Sequence, residues 1–327
     1  VFNPVTISGK TVVTTDMENC STLTLSSQAV LSIGAGQTFL ISSQTNDGTE
    51  NLPATGSTTI DSTSTIKGGN LSTLILNGTV TVSGNINVGG AANLLISVST
   101  GTTTFSSAAQ TINASISTAN GAIIFGGGCT VTGDITCSNC GTVTLPDEAG
   151  LTVQGQIWVY EDGLLTVGCW STLQASKTLI DVGGVLVFTA GQAGATVKGQ
   201  LVVKGLLEDQ SVAADVSIDT LVLDNATVQL DVDPNSGACS DLTVGSLEFL
   251  DSDTLDVDTI AAWNGTSSVS PTLFTAGSVT GAGFTTVQGV GSYANPFNGQ
   301  FWIFSQNFSP SYSGGLETVT FGIGGSN

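Results

Sequence analysis

The stretches VTGDITC (131–137) and VQGQIWV (153–159) decide how this chain folds, because the second repeats the chemistry of the first 22 residues later. Both read Val-x-Gly-polar-Ile-x-apolar. Two looser copies, VSGNINV (82–88) and VKGQLVV (197–203), lie 49 residues before the first and 44 after the second. Side chains along a strand point alternately to opposite faces, so the apolar residues of each copy share one face. The Gly stands among them without a Cβ, which lets the chain turn a corner or another backbone approach. Two of the offsets are one and two turns of a 22-residue unit, and the third is two turns plus a short insertion. One such coil cannot bury its own apolar face. Stacking coils about 4.8 Å apart covers that face and pairs the strand edges at the same time. The expected fold is therefore all-β, a parallel β-helix or β-solenoid.

A chain of 327 residues ordinarily suggests two globular domains, but a solenoid grows in one direction and needs no second core. Composition narrows the function further. The net charge is −20, from 25 acids against five lysines, with no Arg and no His. An acidic chain without Arg has no bidentate fork for phosphate and repels nucleic acid and anionic membranes. Without His it lacks the usual general base and the commonest metal ligand. Mean hydropathy is +0.32, which opposes disorder. No run of about 18 apolar residues is present, so no membrane insertion is expected. The start, Val1-Phe2-Asn3-Pro4, lacks a Met and a basic region and reads as a mature secreted product.

Six cysteines, Cys20, Cys129, Cys137, Cys140, Cys169 and Cys239, suggest disulfides across neighbouring coils and an oxidising compartment. Cys137 and Cys140 form a CxxC, but no second pair or His completes a zinc site. Sequons at Asn19, Asn70, Asn77, Asn113, Asn225 and Asn264 are candidate N-glycosylation positions, whereas Pro310 just after the one at Asn307 disfavours its use.

From Val5 to Leu206, short β-branched runs follow one another between Gly, Asn, Asp and Ser, so residues 1–206 read as solenoid coils with little helix. The stretch SQTNDGTENLPATG (43–56) has turn chemistry and reads as a loop leaving the stack. Residues 207–290 continue the β-helix with many acids. In 291–327 aromatics gather, among them Tyr293, Phe297, Phe301, Trp302, Phe304, Phe308, Tyr312 and Phe321. Large side chains over the last open edge would form a C-terminal cap, or a docking surface for the next subunit.

The segments TVQLDVDPNSGACSDLTVGSLEF (227–249) and SPTLFTAGSVTGAGFTTVQ (270–288) resemble the end of a bacterial autotransporter passenger, the secreted β-helix of surface adhesins. The resemblance covers about a fifth of the chain and implies a right-handed parallel β-helix. The six cysteines and the absence of a C-terminal membrane barrel depart from that family.

No residue set carries obvious chemistry. Parallel β-helix polygalacturonases and lyases need His, Arg or a placed Lys beside their acids, and this chain lacks the first two. No catalytic residue, metal site or cofactor is assigned, and the chain is expected not to be an enzyme. The acidic segment from Asp231 to Asp241 has Ser236 and Leu242 where a calcium-binding EF-hand needs Gly and Glu, so it reads as a turn between strands. Thr-x-Thr pairs at 22/24, 79/81, 102/104, 130/132 and 142/144 suggest a hydroxyl-and-methyl array of the kind ice-binding solenoids use, yet they do not recur at one position of a fixed 22-residue unit.

The function expected from sequence is that of a non-enzymatic structural subunit of an extracellular or surface filament, sheath or coat. Its partner is itself, end to end, through an assembly surface that pairs Val5 and Ile7 with Phe297, Phe301, Trp302, Phe304 and Phe308. The alternatives are a surface adhesin that presents loops such as 43–56, or Trp158 and Trp170 on an outer face, to glycans, and an ice-binding solenoid.

Overall fold

The computed structural model describes residues 94–260 (save 108, 192, 213 and 234) and 272–290, with 259, 272 and 287–290 by backbone alone, and outside these stretches the strands together with a few side chains. Every long element is a β-strand, and nearly all pairings are parallel. The alternation drives this: in Gly121–Phe125 the residues run buried, half-buried, buried, half-buried, buried, and Ser115–Ala119 and Thr142–Leu145 follow the same period of two. The chain divides into two units, Val1–Leu165 with Gln174–Ser176, and Thr166–Leu173 with Lys177–Asn327. Each is a parallel β-solenoid.

In the first unit each coil supplies one strand segment to each of three ladders. The first ladder stacks Val5–Ser8, Leu23–Ser26, Thr58–Ile60, the second halves of Thr73–Val82 and Leu95–Phe105, then Gly121–Phe125 and Thr142–Leu145. The second contains Gln110–Ile112, Gly128–Val131 and the first half of Gly150–Val159. The third contains Ser115–Ala119, Ile135–Ser138 and the second half of Gly150–Val159. Inward residues stack on inward residues. Val80, Thr103, Ile123 and Val143 form one buried column, and Phe105 lies on Phe125 with ring centroids 5.3 Å apart.

The glycine of the repeated motif sits at the corner between the second and third ladders. A Cβ on Gly133 would lie 2.6 Å from the carbonyl oxygen of Ala114, and one on Gly155 would lie 2.7 Å from that of Gly133, so successive corners are in contact through their backbones. The polar residue that follows ties one coil to the next. Asp134 Oδ1 accepts the backbone N–H of Gln156 at 2.8 Å, and Ser176 Oγ donates to the Gly155 carbonyl at 2.9 Å. Val131 stacks on Val153, and Ile135 on Ile157, as the repeat predicts. The copy at 82–88 does not join them. Val82 lies opposite Phe105 in the first ladder, and Ile86 lies opposite Ile112 in the second, so this copy marks a different corner. The motif encodes a bend between two apolar strands, and any corner of the coil meets that need.

Coil length varies. Thr104, Ile124 and Thr144 are 20 residues apart in one ladder, while Cys129 and Leu151 are 22 apart in another. The stretch 43–56, read as a loop leaving the stack, contains an antiparallel pair of short strands, Ser43–Gln44 and Asn51–Leu52, separate from the three ladders.

The second unit stacks Val185–Phe188, Leu206–Asp209, Thr227–Val232, Thr254–Thr259 and Thr286–Val290 in one ladder. Beside it Thr196–Val203, Asp215–Leu223, Asp241–Phe249 and Thr272–Thr280 pair through both halves of each long strand. Phe249, Phe274 and Phe284 form a buried aromatic cluster near its C-terminal end, with Phe284 edge-on to Phe249 at 4.9 Å. Gly315–Ile323 then pairs antiparallel with Thr272–Thr280, and with Gln300–Asn307 on its other side. Trp302 stands opposite Phe321 in that pairing.

Candidate interaction face and a buried acidic cluster

From Thr79 to Thr144 the outward face of the first ladder in the first unit carries two adjacent columns of Thr, interrupted in one coil by Ala122 and Ile124. In one, the register aligns Thr6, Thr24, Thr59, Thr81, Thr104, Ile124 and Thr144, so six of seven rungs carry Thr. In the other it aligns Thr79, Thr102, Ala122 and Thr142. The outward residues from Thr79 to Thr144 are half-buried or exposed. The pairs 79/81 and 102/104 therefore stack on one another, 142/144 lies in the same columns beyond a coil that carries Ala122 and Ile124, and Thr24 of a fourth pair is in register with one column. Thr130 and Thr132 lie apart from them, Thr130 in the second ladder. The pairs do not recur at one position of a fixed 22-residue unit because coil length varies: a coil of 23 residues and two of 20 bring them into register.

In the second unit the acids collect around one interior position. Asp209 occupies an inward slot, opposite Phe188 on one side and Leu230 on the other, and is fully buried. Its Oδ1 accepts the backbone N–H of Ser211 at 2.9 Å and also the Ser211 hydroxyl, while its Oδ2 has no partner. Ser240 Oγ donates to the Asp209 carbonyl at 2.6 Å and accepts the Asp231 N–H at 3.2 Å. Burial pushes Asp209 up to about 7, with the charges of Asp231 and Asp241 adding to the shift. Burial also raises Asp231 and Asp241 to about 6, the former helped by Asp258 and Glu208 and the latter by Asp215. Asp253 repeats the device at a corner: its Oδ1 accepts the Ala226 N–H at 2.8 Å, its Oδ2 is unpaired, and burial raises its pKa.

The segment 231–241 closes as a turn. Asp233 Oδ1 accepts the Asn235 N–H and its Oδ2 the Ser236 hydroxyl at 2.6 Å, which lowers its pKa and uses the carboxylate inside the turn itself. Val232 and Cys239 then bridge antiparallel. Among the described residues no three His, Cys, Asp or Glu side chains gather as a metal-binding group.

The cysteines require a correction. No two of Cys129, Cys137, Cys140, Cys169 and Cys239 are bonded to each other, so the predicted cross-coil disulfides do not form among them; the side chain of Cys20 lies outside the described residues. The register explains why. A cross-coil cystine needs Cys stacked on Cys, but Cys129 stacks on Gln110 and Leu151, and Cys137 on Thr118 and Val159. Within the CxxC, Cys137 points into the core while Cys140 is exposed in the following turn. Burial raises Cys129 and Cys137 to about 11 and Cys239 to about 12.

Trp158 faces outward, 48% exposed, with its indole N–H donated to Gln156 Oε1 at 3.0 Å, and Trp170 is 68% exposed in a turn of the second unit. Of the sequon asparagines, Asn225 is exposed in a turn and Asn113 is half-buried; Asn19 and Asn77 lie on strands but their own side chains are outside the described residues, as Asn70 and Asn264 are altogether. Of the predicted assembly surface, Val5, Ile7, Phe301, Trp302 and Phe304 are placed on strands by backbone alone, and Phe297 and Phe308 lie outside the described residues. No helix among the described residues is long and apolar enough to cross a membrane.

No known family matches this sequence, and no curated protein matches it. The resemblance to autotransporter passengers therefore reduces to the shared parallel β-solenoid.

Proposed function

We propose that this chain is a non-enzymatic structural subunit that works in an extracellular or surface-attached assembly and joins its neighbours through solenoid ends. One observation carries the reading. After the parallel coils stop, the edge of Thr272–Thr280 is extended by the antiparallel strand Gly315–Ile323, so the ladder grows by strand addition without further coiling. The same backbone pairing between subunits would continue the ladder from one copy to the next, a heterologous contact that does not close and so yields a fibre. The aromatic strands at 300–323 are then the assembly element as well as a cap. Right-handed coiling belongs to this reading, supported by the strong preference of parallel crossover connections for that hand.

The interior supports a structural role too. In the second unit one column is filled by Leu186, Leu207, Val228 and Leu255, which stiffens the stack and leaves its surfaces as the working parts. Electron microscopy and sedimentation across a concentration series test the proposal. Filaments or a growing series of oligomers are expected, and dispersed monomers at every concentration reject it.

A further inference from the structure

We propose that the paired threonine columns on the first ladder of the first unit bind the surface of an ice crystal. Three features of the face select that partner. The columns form a grid: side chains repeat about 4.8 Å from coil to coil and about 6.7 Å between i and i+2 along each strand, and each Thr offers a methyl and a hydroxyl at its grid point. Water held at such points is already spaced as a lattice layer, which a growing ice face can incorporate.

The grid is also uncharged. No Asp, Glu or Lys stands among Thr79, Thr81, Thr102, Thr104, Ala122, Ile124, Thr142 and Thr144, in a chain whose net charge is −20. An ice surface has no net charge and rejects groups that hold their own hydration shells, so an uncharged face in an acidic chain is the complementary one. The third feature is rigidity. Thr has a restricted χ1, and the stacked Phe105 and Phe125 rings support the sheet from beneath, so little freedom is lost when the face meets a crystal.

Exposed strands often carry Thr, but elsewhere the pattern breaks. The third ladder of the same unit presents Ser97, Ser117, Thr136 and the bulky Trp158 in one column. In the second unit the outward positions of one ladder include Val187, Glu208, Gln229 and Asp256, and the hydroxyl column Ser217, Thr243 and Thr275 of another is flanked by Asp215, Asp219 and Asp241. The first ladder of the first unit keeps two adjacent uncharged columns in which Thr occupies both positions in three of four successive described coils. The inference stands apart from end-to-end assembly, since a monomer with this face would bind ice equally.

The test is thermal hysteresis and inhibition of ice recrystallisation by the full chain, compared with the double variant Thr81→Lys with Thr104→Lys, and with Thr130→Lys on the second ladder as a control. The wild type and the control should slow ice growth, and the double variant should lose that activity while keeping its β-sheet circular dichroism. Should the double variant not fold, the exposed single change Thr79→Lys replaces it with the same expected loss. No effect of the wild type on ice overturns the proposal. So does equal activity in all variants, or loss confined to Thr130→Lys. Retention on crystalline cellulose or chitin through these threonines, without any effect on ice, overturns it in favour of a polysaccharide partner.

Discussion

At the scale of single residues, Asp209 shows what a stacked fold does to an ionisable side chain. Its position in the strand is inward, its neighbours are Phe188 and Leu230, and only one of its two oxygens is satisfied. Its pKa of about 7, against roughly 3.9 for an unfolded Asp, means that the folded chain keeps a proton which the unfolded chain releases. Stability from this site is therefore complete below about pH 4 and is lost progressively as pH rises from there through about 7. Asp231 and Asp241, raised to about 6, act in the same direction but are more open to solvent, so Asp209 dominates. Thermal unfolding should show a higher midpoint at pH 5 than at pH 8. Asp209→Asn, which stays neutral, should flatten that difference and be the more stable protein at pH 8. An equal pH dependence in the variant would remove Asp209 as its origin. The thiols give a second residue-level prediction. A thiol reagent should label Cys140 in the native protein, while Cys129 and Cys137, buried and raised to about 11, should react only in denaturant.

At the scale of elements, the corners decide stability. At Gly155 an added methyl meets the Gly133 carbonyl at 2.7 Å, and that atom belongs to backbone, which cannot swing away. Gly155→Ala should cost about 1–3 kcal/mol in chemical denaturation. The corner between the third and first ladders has the opposite problem. Asn139 and Cys140 in one coil, and Glu161 and Asp162 in the next, take positive φ at consecutive residues, from 48° to 63°. Side chains at such positions are strained, and Asp162→Gly should stabilise by about 0.5 kcal/mol. These corners also mark how far the sequence could be read. The alternation in TLTLS or VLVF specifies strands because each apolar residue must face a core, and the glycines of VTGDITC and VQGQIWV identify true corners. The register between ladders is set instead by turn lengths, and turns tolerate insertions. That is why the copy at 82–88 fell on another corner, why the threonine columns were hidden from a fixed period, and why the cysteines looked pairable. Asp209 was hidden for a different reason: composition places an Asp outside, and only its stacking partners place it within.

At the scale of the whole molecule, charge opposes association. The chain has 25 acids and five lysines, and among the described residues the one ion pair is Lys204 with Asp224 at 2.9 Å. Copies of such a chain repel one another over the Debye length, about 30 Å at 0.01 M salt and about 8 Å at 0.15 M. Backbone pairing between ends acts at hydrogen-bond distance and is itself little affected by salt, so screening should remove the repulsion while leaving the attraction in place. If the subunits join through strand addition, raising ionic strength across that range should increase the sedimentation coefficient at fixed protein concentration. Lowering the pH toward the pI of about 4.1 should do the same without added salt. An assembly held by salt bridges would respond in the opposite way and dissociate as salt rises. That outcome would remove the edge of the β-ladder as the joining surface, because a contact made of backbone hydrogen bonds between like-charged subunits cannot be weakened by screening their charge.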